Sequence, residues 1–179
     1  ATVYVKELGA WADEVNEYAF AEELINSYGC GIVAQHCDSA QPQLAAEKAG
    51  VFGCGYNSDM TAEVGESVLT SVVWNWGAYY TSYISSIINA SYDGKNYYGG
   101  MKENLVSLTE LSSLCERDTE DKIKEAKENI ISGKFGVFDG VLKTNTGKTV
   151  GKEGKTLDDA TITGKINWYY HNVSLINWK

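Results

Sequence analysis

Val68-Leu69-Thr70-Ser71-Val72-Val73-Trp74-Asn75-Trp76-Gly77-Ala78-Tyr79-Tyr80 is the stretch whose reading decides the fold. It starts as a β-branched apolar run, the pattern of a buried strand, and ends as the aromatic start of a helix. Open α/β sheets bind ligands beyond the carboxyl ends of their strands, and this changeover carries Trp74, Asn75 and Trp76. For either indole alone, core packing is the plainer account.

Upstream, strand and helix signals alternate. Thr2–Lys6 reads as a strand. Asp13 is placed to cap a helix with Val15, Tyr18, Ala19, Ile25 and Tyr28 on one stripe and Glu14, Glu17, Glu22 and Glu23 off it; Gly29 closes it. Gly31–Gln35 reads as a central, nearly all-apolar parallel strand. Ser39 caps the next helix, Pro42 lies in its first turn, Ala45, Ala46 and Ala49 supply its packing face, and Gly50 ends it. Val51–Tyr56 is a further strand, followed by the polar loop Asn57-Ser58-Asp59-Met60. Short connections between alternating elements predict an α/β fold: a parallel sheet with right-handed crossovers, flanked by helices.

Downstream the pattern loosens. Tyr80, Tyr83, Ile84, Ile87 and Ile88 form a helical stripe. Tyr97–Met101 and Leu105–Leu108 read as short strands. Asp118 or Thr119 opens a helix with Ile123, Ala126, Ile130 and Ile131 toward a core, and Gly133 ends it. Phe135–Phe138 reads as a strand and Lys143–Lys148 as a hairpin tip. The remainder, through Trp168-Tyr169-Tyr170 to Trp178, reads as polar loop and aromatic tail.

The chain has 179 residues, 44% of them hydrophobic and 22% charged, with a net charge of −9. No basic cluster exceeds a pair, so neither nucleic acid nor an anionic membrane surface is expected as a partner. No apolar run could span a bilayer. Cys30, Cys37, Cys54 and Cys115 are too few and too scattered for a disulfide-dense module, and they neither require nor exclude a disulfide. Ala1-Thr2-Val3-Tyr4-Val5 opens directly in a strand, which fits either a cytoplasmic protein or a piece whose leader lies upstream.

There is no G-x-S-x-G elbow, H-E-x-x-H pair or P-loop. A Cys–His nucleophile pair would need Cys37 or Cys54 with His36 or His171, and nothing in the sequence orients one. Cys30, His36, Cys37 and Cys54 flank neighbouring strands but lack the tight cysteine pair of a structural zinc site, so no metal or cofactor is expected. What remains are the polar strand ends: Gln35, His36, Asp38 and Ser39, then Asn57 and Asp59, then Trp74 and Asn75. On a parallel sheet these converge on one edge. Carboxylates, amides and an imidazole beside indoles suit a flat ligand with a hydrogen-bonding rim. Taken singly, Asp38, Ser39 and Asp59 are explained by caps and turns.

The same residues carry a resemblance. Gln35-His36-Cys37-Asp38-Ser39, Ala45–Val51, Gly55-Tyr56-Asn57-Ser58-Asp59-Met60 and Leu69–Tyr80 resemble the basic membrane protein family, ABC-transporter substrate-binding lipoproteins similar to the purine nucleoside receptors. Tyr98–Lys102 and Ile131–Gly140 continue the likeness. It implies a type I periplasmic-binding fold of two α/β lobes around a hinge, and binding without catalysis. It also implies an extracytoplasmic location through an N-terminal lipid anchor, and an ABC permease as partner. Members run to roughly twice this length, the size of two domains. On that pattern residues 1–73 form part of the second lobe, residues 74–179 form the hinge crossing and elements returning to the first lobe, and the N-terminal lobe is absent. Thr70 and Ser71 would lie near the hinge and Trp74 at the cleft.

Nucleoside-binding relatives often carry Asp at the position of Asn57 and Lys at that of Trp74. An amide and an indole offer less to ribose and more to a stacked ring, which points to a free purine base such as adenine rather than a nucleoside. Apolar surface around Tyr80–Ile88, uncovered without its lobe, would drive self-association. The alternatives are the ligand-sensing core of a regulator or receptor of this fold, and a small α/β enzyme using Cys37 or Cys54 with His36.

Overall fold

The computed structural model describes residues 1–176; Trp178, at the end of the expected aromatic tail, lies outside the described residues. The strands are β1 (Val3–Val5), β2 (Ile32–Ala34), β3 (Phe52–Asn57), β4 (Val68–Trp74), β5 (Val106–Leu108), β6 (Asp139–Lys143), β7 (Thr149–Thr156) and β8 (Val173–Leu175). The helices are α1 (Glu14–Tyr28), α2 (Gln41–Ala49), α3 (Trp76–Ile88), α4 (Thr119–Ile131) and α5 (Asp159–Gly164), with a 3-10 turn at Met60–Ala62. The chain divides into one unit of residues 10–127 and another of residues 1–9 with 128 onward.

Within residues 10–127 the sheet runs in the order β2-β3-β4-β5, with β2, β3 and β4 parallel and β5 antiparallel to β4. Gly29 and Gly50 end α1 and α2 in left-handed conformations, φ 68° and 70°, that glycine adopts without a Cβ penalty. Successive strand residues face opposite sides of a sheet, and β3 uses this fully. Gly53 and Gly55 face the helices, where a Cβ on Gly53 would collide with the Gln43 amide and one on Gly55 with the Ser71 hydroxyl and Met60. Around them pack Ala21, Val33, Ala45 and Ala46 in one cluster and Ala40, Met60, Val64 and Val68 in another. Phe52, Cys54 and Tyr56 face the other way.

In the second unit β1 pairs in parallel with β8, Val3 opposite Val173, and β6 with β7 forms an antiparallel hairpin. Its turn falls at the expected Lys143–Lys148 and is held by Thr144, whose buried hydroxyl accepts from the Lys148 N–H at 3.0 Å.

Several expectations are corrected. The first strand does not join the main sheet, because its hydrogen-bonding edge is taken by β8, in a segment expected to be loop. That segment also holds β7 and α5, the latter capped by Asp158. β2 is consequently an edge strand rather than a central one, and Ile32 is left 55% exposed. The buried stripe of α1 is centred on Glu17 and Ala21, while Val15 and Ala19 face solvent. Ala49 is exposed, and of the four residues expected to turn α4 toward a core, Ile123 is half-buried while Ala126, Ile130 and Ile131 are exposed. Tyr97–Met101 is irregular, and Phe135–Phe138 turns instead of extending, with the Asp139 N–H returning to the Gly136 carbonyl.

Candidate functional site

The eight strand-end residues fall into two groups. One group builds the loops. Gln35 sits beyond the carboxyl end of β2, where its Nε2 donates to the carbonyls of Cys37 at 2.8 Å and Ser39 at 2.7 Å. Its Oε1 accepts from Nε2 of Gln43, a fully buried amide whose Nε2 also lies within reach of the Val33 and Cys54 carbonyls. Gln35 therefore spends its amide on folding the His36–Ser39 loop.

Ser39 behaves similarly. Its hydroxyl donates to Glu17 Oε2 and accepts from the Gln41 N–H at 3.2 Å. The N-cap position of α2 is Ala40, so Ser39 supports the helix start from one residue upstream rather than as its N-cap. Asp59 accepts from the Thr61 N–H at 3.0 Å and caps the 3-10 turn. In each case the plain structural role is occupied.

The other group faces outward, and a run of rings joins it. His36 lies 4.5 Å from Tyr56, Tyr56 lies 6.5 Å edge-on from Trp74, and Trp74 stacks on Trp76 at 5.5 Å and 24°. Trp11 extends the run past His36 at 5.4 Å, and Tyr80 extends it past Trp76 at 6.2 Å. Ring centroids 4.5–7 Å apart are the spacing at which edge-to-face and offset contacts hold. The run crosses the carboxyl ends of β2, β3 and β4 in turn, which is the edge where a parallel sheet presents its ligand. Asp38 and Asn57 are exposed beside it, and Asn75 is half-buried at the N-cap of α3. Asn57 ends β3 at φ 74°, a left-handed conformation that asparagine tolerates better than most residues. Trp76, nearer to packing by its sequence position, is 47% exposed and shares the stack.

Sequence reasoning missed Trp11, Tyr56 and Glu17. The alternation Phe52-x-Cys54-x-Tyr56 against the glycines could have placed Tyr56 on the ring-bearing face. Glu17 lies one turn after the Asp13 cap and accepts from the Asp13 N–H at 2.7 Å, which, with Ser39, explains why a carboxylate is only 3% exposed. No comparable signal marks Trp11.

The thiols do not favour covalent chemistry. Burial, then the hydrogen bond and charge of Glu17, then the charge of Asp38 push the Cys37 thiol up to about 12, so it stays protonated at neutral pH. Burial also raises Cys54. Among the described residues, no group of three or more His, Cys, Asp or Glu side chains could hold a metal ion, and no helix is long and apolar enough to cross a membrane.

Comparison with known proteins adds independent findings. The profile of a family described as Bmp, ABC transporter substrate-binding protein PnrA-like, matches residues 1–139. A purine-binding protein of Brucella abortus is 31% identical over 93% of this chain, which covers 47% of that protein. A protein of Haloferax volcanii whose name proposes glucose as its ligand is 31% identical over 78% of this chain and 36% of its own length. The chain thus spans less than half the length of these relatives. A solved structure of a transcriptional activator of the comK gene from Bacillus halodurans superposes with a TM-score of 0.62 at 21% identity, covering 73% of this chain and 46% of that one. That likeness speaks for the fold alone.

Proposed function

This chain belongs to the Bmp family of PnrA-like ABC transporter substrate-binding proteins, and from that premise we propose that it is a lobe of an ABC importer's solute receptor, taking a purine base. The observation that carries the ligand class is the continuous run Trp11–His36–Tyr56–Trp74–Trp76 across the strand ends. A purine offers two π faces to such rings and a rim of donors and acceptors to Asp38, Asn57 and Asn75. Asn57 and Trp74 lack the charges that would grip ribose hydroxyls, which favours the base over the nucleoside. The purine-binding name of the Brucella relative supports the same class.

The family is one of substrate-binding proteins, not of enzymes, and the protonated Cys37 agrees with binding rather than turnover. As a family member the receptor would work outside the cytoplasmic membrane, held by an N-terminal lipid and delivering to an ABC permease. The test reads binding up to millimolar ligand. Adenine, adenosine and glucose are titrated in turn while indole and imidazole NMR signals are followed. Adenine should shift the signals of Trp74 and His36 and leave Trp168 still. A response to adenosine without adenine would overturn the base, and a response to glucose alone would overturn the purine class.

A further inference from the structure

Glu17 belongs to α1, yet its two carboxylate oxygens serve two different loops. Oε1 accepts from the N–H of Asp13, at the end of the loop 10–13, at 2.7 Å. Oε2 accepts from the hydroxyl of Ser39 in the loop 36–39. The first bond alone would be ordinary, since an acidic residue in the first turn commonly reaches back to the N-cap backbone. That duty leaves a side chain free to stay in water. Glu17 is instead 3% exposed, and its second oxygen holds a residue 22 positions away in the chain. A buried carboxylate costs free energy unless its hydrogen bonds are made, so burial here is bound up with the two loops together.

Each of those loops carries one ring of the run across the strand ends. Trp11 lies two residues before Asp13, and His36 lies three before Ser39. Trp11 is 62% exposed and His36 is exposed as well, so no packed core sets the angle at which they meet, 62° at 5.4 Å. Their placement comes from the backbone beneath them. The Asp38 N–H donates to the Trp11 carbonyl at 2.9 Å and ties the loops at one point. Glu17 ties them at a second, and two ties fix an orientation that one leaves free to swivel. Both ends of the second tie are themselves held. The Asn16 N–H and side-chain amide donate to the Asp13 carboxylate at 3.2 and 2.7 Å, and Gln35 Nε2 donates to the Ser39 carbonyl at 2.7 Å.

We propose that Glu17 is a positioning residue for the ligand edge. It clasps the loops 10–13 and 36–39 so that the Trp11 indole and the His36 imidazole keep the relation in which a flat ring meets them. Sites of this kind depend on the residues that lock their contact groups in place. Buried as it is, Glu17 acts through the two rings rather than on the ligand. Its role in binding rests on the purine reading above, whereas the clasp itself does not.

The test follows the Trp11 and His36 rings of the full chain by NMR, first free and then with adenine. Glu17→Ala removes the charge along with both bonds, so no buried carboxylate is stranded, and alanine suits a helix interior. Met60→Ala, which weakens the packed side of the sheet, controls for lost stability. In the free chain, nuclear Overhauser contacts between the two rings should persist in Met60→Ala and vanish in Glu17→Ala. Adenine affinity should fall about three- to tenfold in Glu17→Ala, because both rings must then be ordered on binding, while Trp74 still responds. Glu17→Gln keeps an acceptor for the Asp13 N–H and a polar partner for Ser39, and it should restore both readouts. If Glu17→Ala does not fold, Ser39→Ala releases the loop 36–39 alone and should weaken the same ring contacts. Ring contacts retained in the folded variant, or lost equally in Met60→Ala, would overturn the clasp. Unchanged adenine affinity in a variant that has lost them would overturn its role in binding. A wild-type chain that ignores adenine would count against the purine reading, and the ring contacts would still decide the clasp.

Discussion

The two faces of the β2-β3-β4 sheet are built from different chemistry. Toward α1 and α2 it presents Val33, Gly53, Gly55, Val68 and Ser71, all buried and packed on Ala45, Ala46 and Met60. Away from them it presents Ile32, Phe52, Tyr56 and Trp74, of which Ile32 and Phe52 are 55% and 41% exposed. Small residues on the first face admit a helix and one buried amide at close range. Large rings on the second are left able to take a flat partner. In β3 the packed and the open side alternate residue by residue, and on the function proposed above the open side is the one that binds.

The division can be broken on either side. On the packed face, Met60→Ala removes a side chain that is 1% exposed, which should cost about 2–5 kcal/mol in denaturant unfolding. Phe52→Ala on the open face should cost much less; equal losses would dissolve the contrast. Ser39→Ala leaves buried Glu17 without its hydroxyl donor, an expected cost of about 1.5–3 kcal/mol for a hydrogen bond to a charged group. Gly55→Ala drives a methyl toward the Cβ and Cγ of Met60, each 3.1 Å away, and overpacking of this kind costs about 1–3 kcal/mol.

A smaller effect belongs to the other unit. The Tyr169 hydroxyl donates to Glu7 Oε1 at 2.5 Å. That hydrogen bond, with burial and the Glu7 charge, pushes its pKa up to about 12. A raised folded-state value stabilises the protonated form, so this contribution is complete below the unfolded tyrosine value and fades between about pH 10 and 12. Tyr169→Phe should lower stability at neutral pH, where the hydrogen bond is fully made, and flatten the stability-versus-pH curve across that window. An unaltered alkaline limb would show that the bond is not made.

Much of the packed face was legible in the sequence. Asp13, Gly29, Pro42 and Gly50 mark the helix ends through local rules, and the alternation of strands and helices announces a parallel sheet. Strand pairing at a distance was not legible, because nothing local in Val3–Val5 says that its edge belongs to Val173–Leu175. Burial of Glu17 was hidden for a related reason: its partners include Ser39, 22 residues away. At the site, His36 and Trp74 were readable as strand-end residues. Tyr56, which bridges their rings, sat in a stretch where glycines drew the eye to packing. Gln35, Ser39 and Asp59 have the residue types of a binding loop and turn out to hold the loops in shape.

The measurement closest to the central claim compares adenine titrations of the wild-type chain and Trp74→Ala by NMR, with unfolding measured in parallel. Stacking of one base on one ring is worth about 1–3 kcal/mol, so Trp74→Ala should weaken adenine binding about tenfold while the chain stays folded. Unchanged affinity in a folded variant would contradict the assignment of the open, ring-bearing edge as the ligand site.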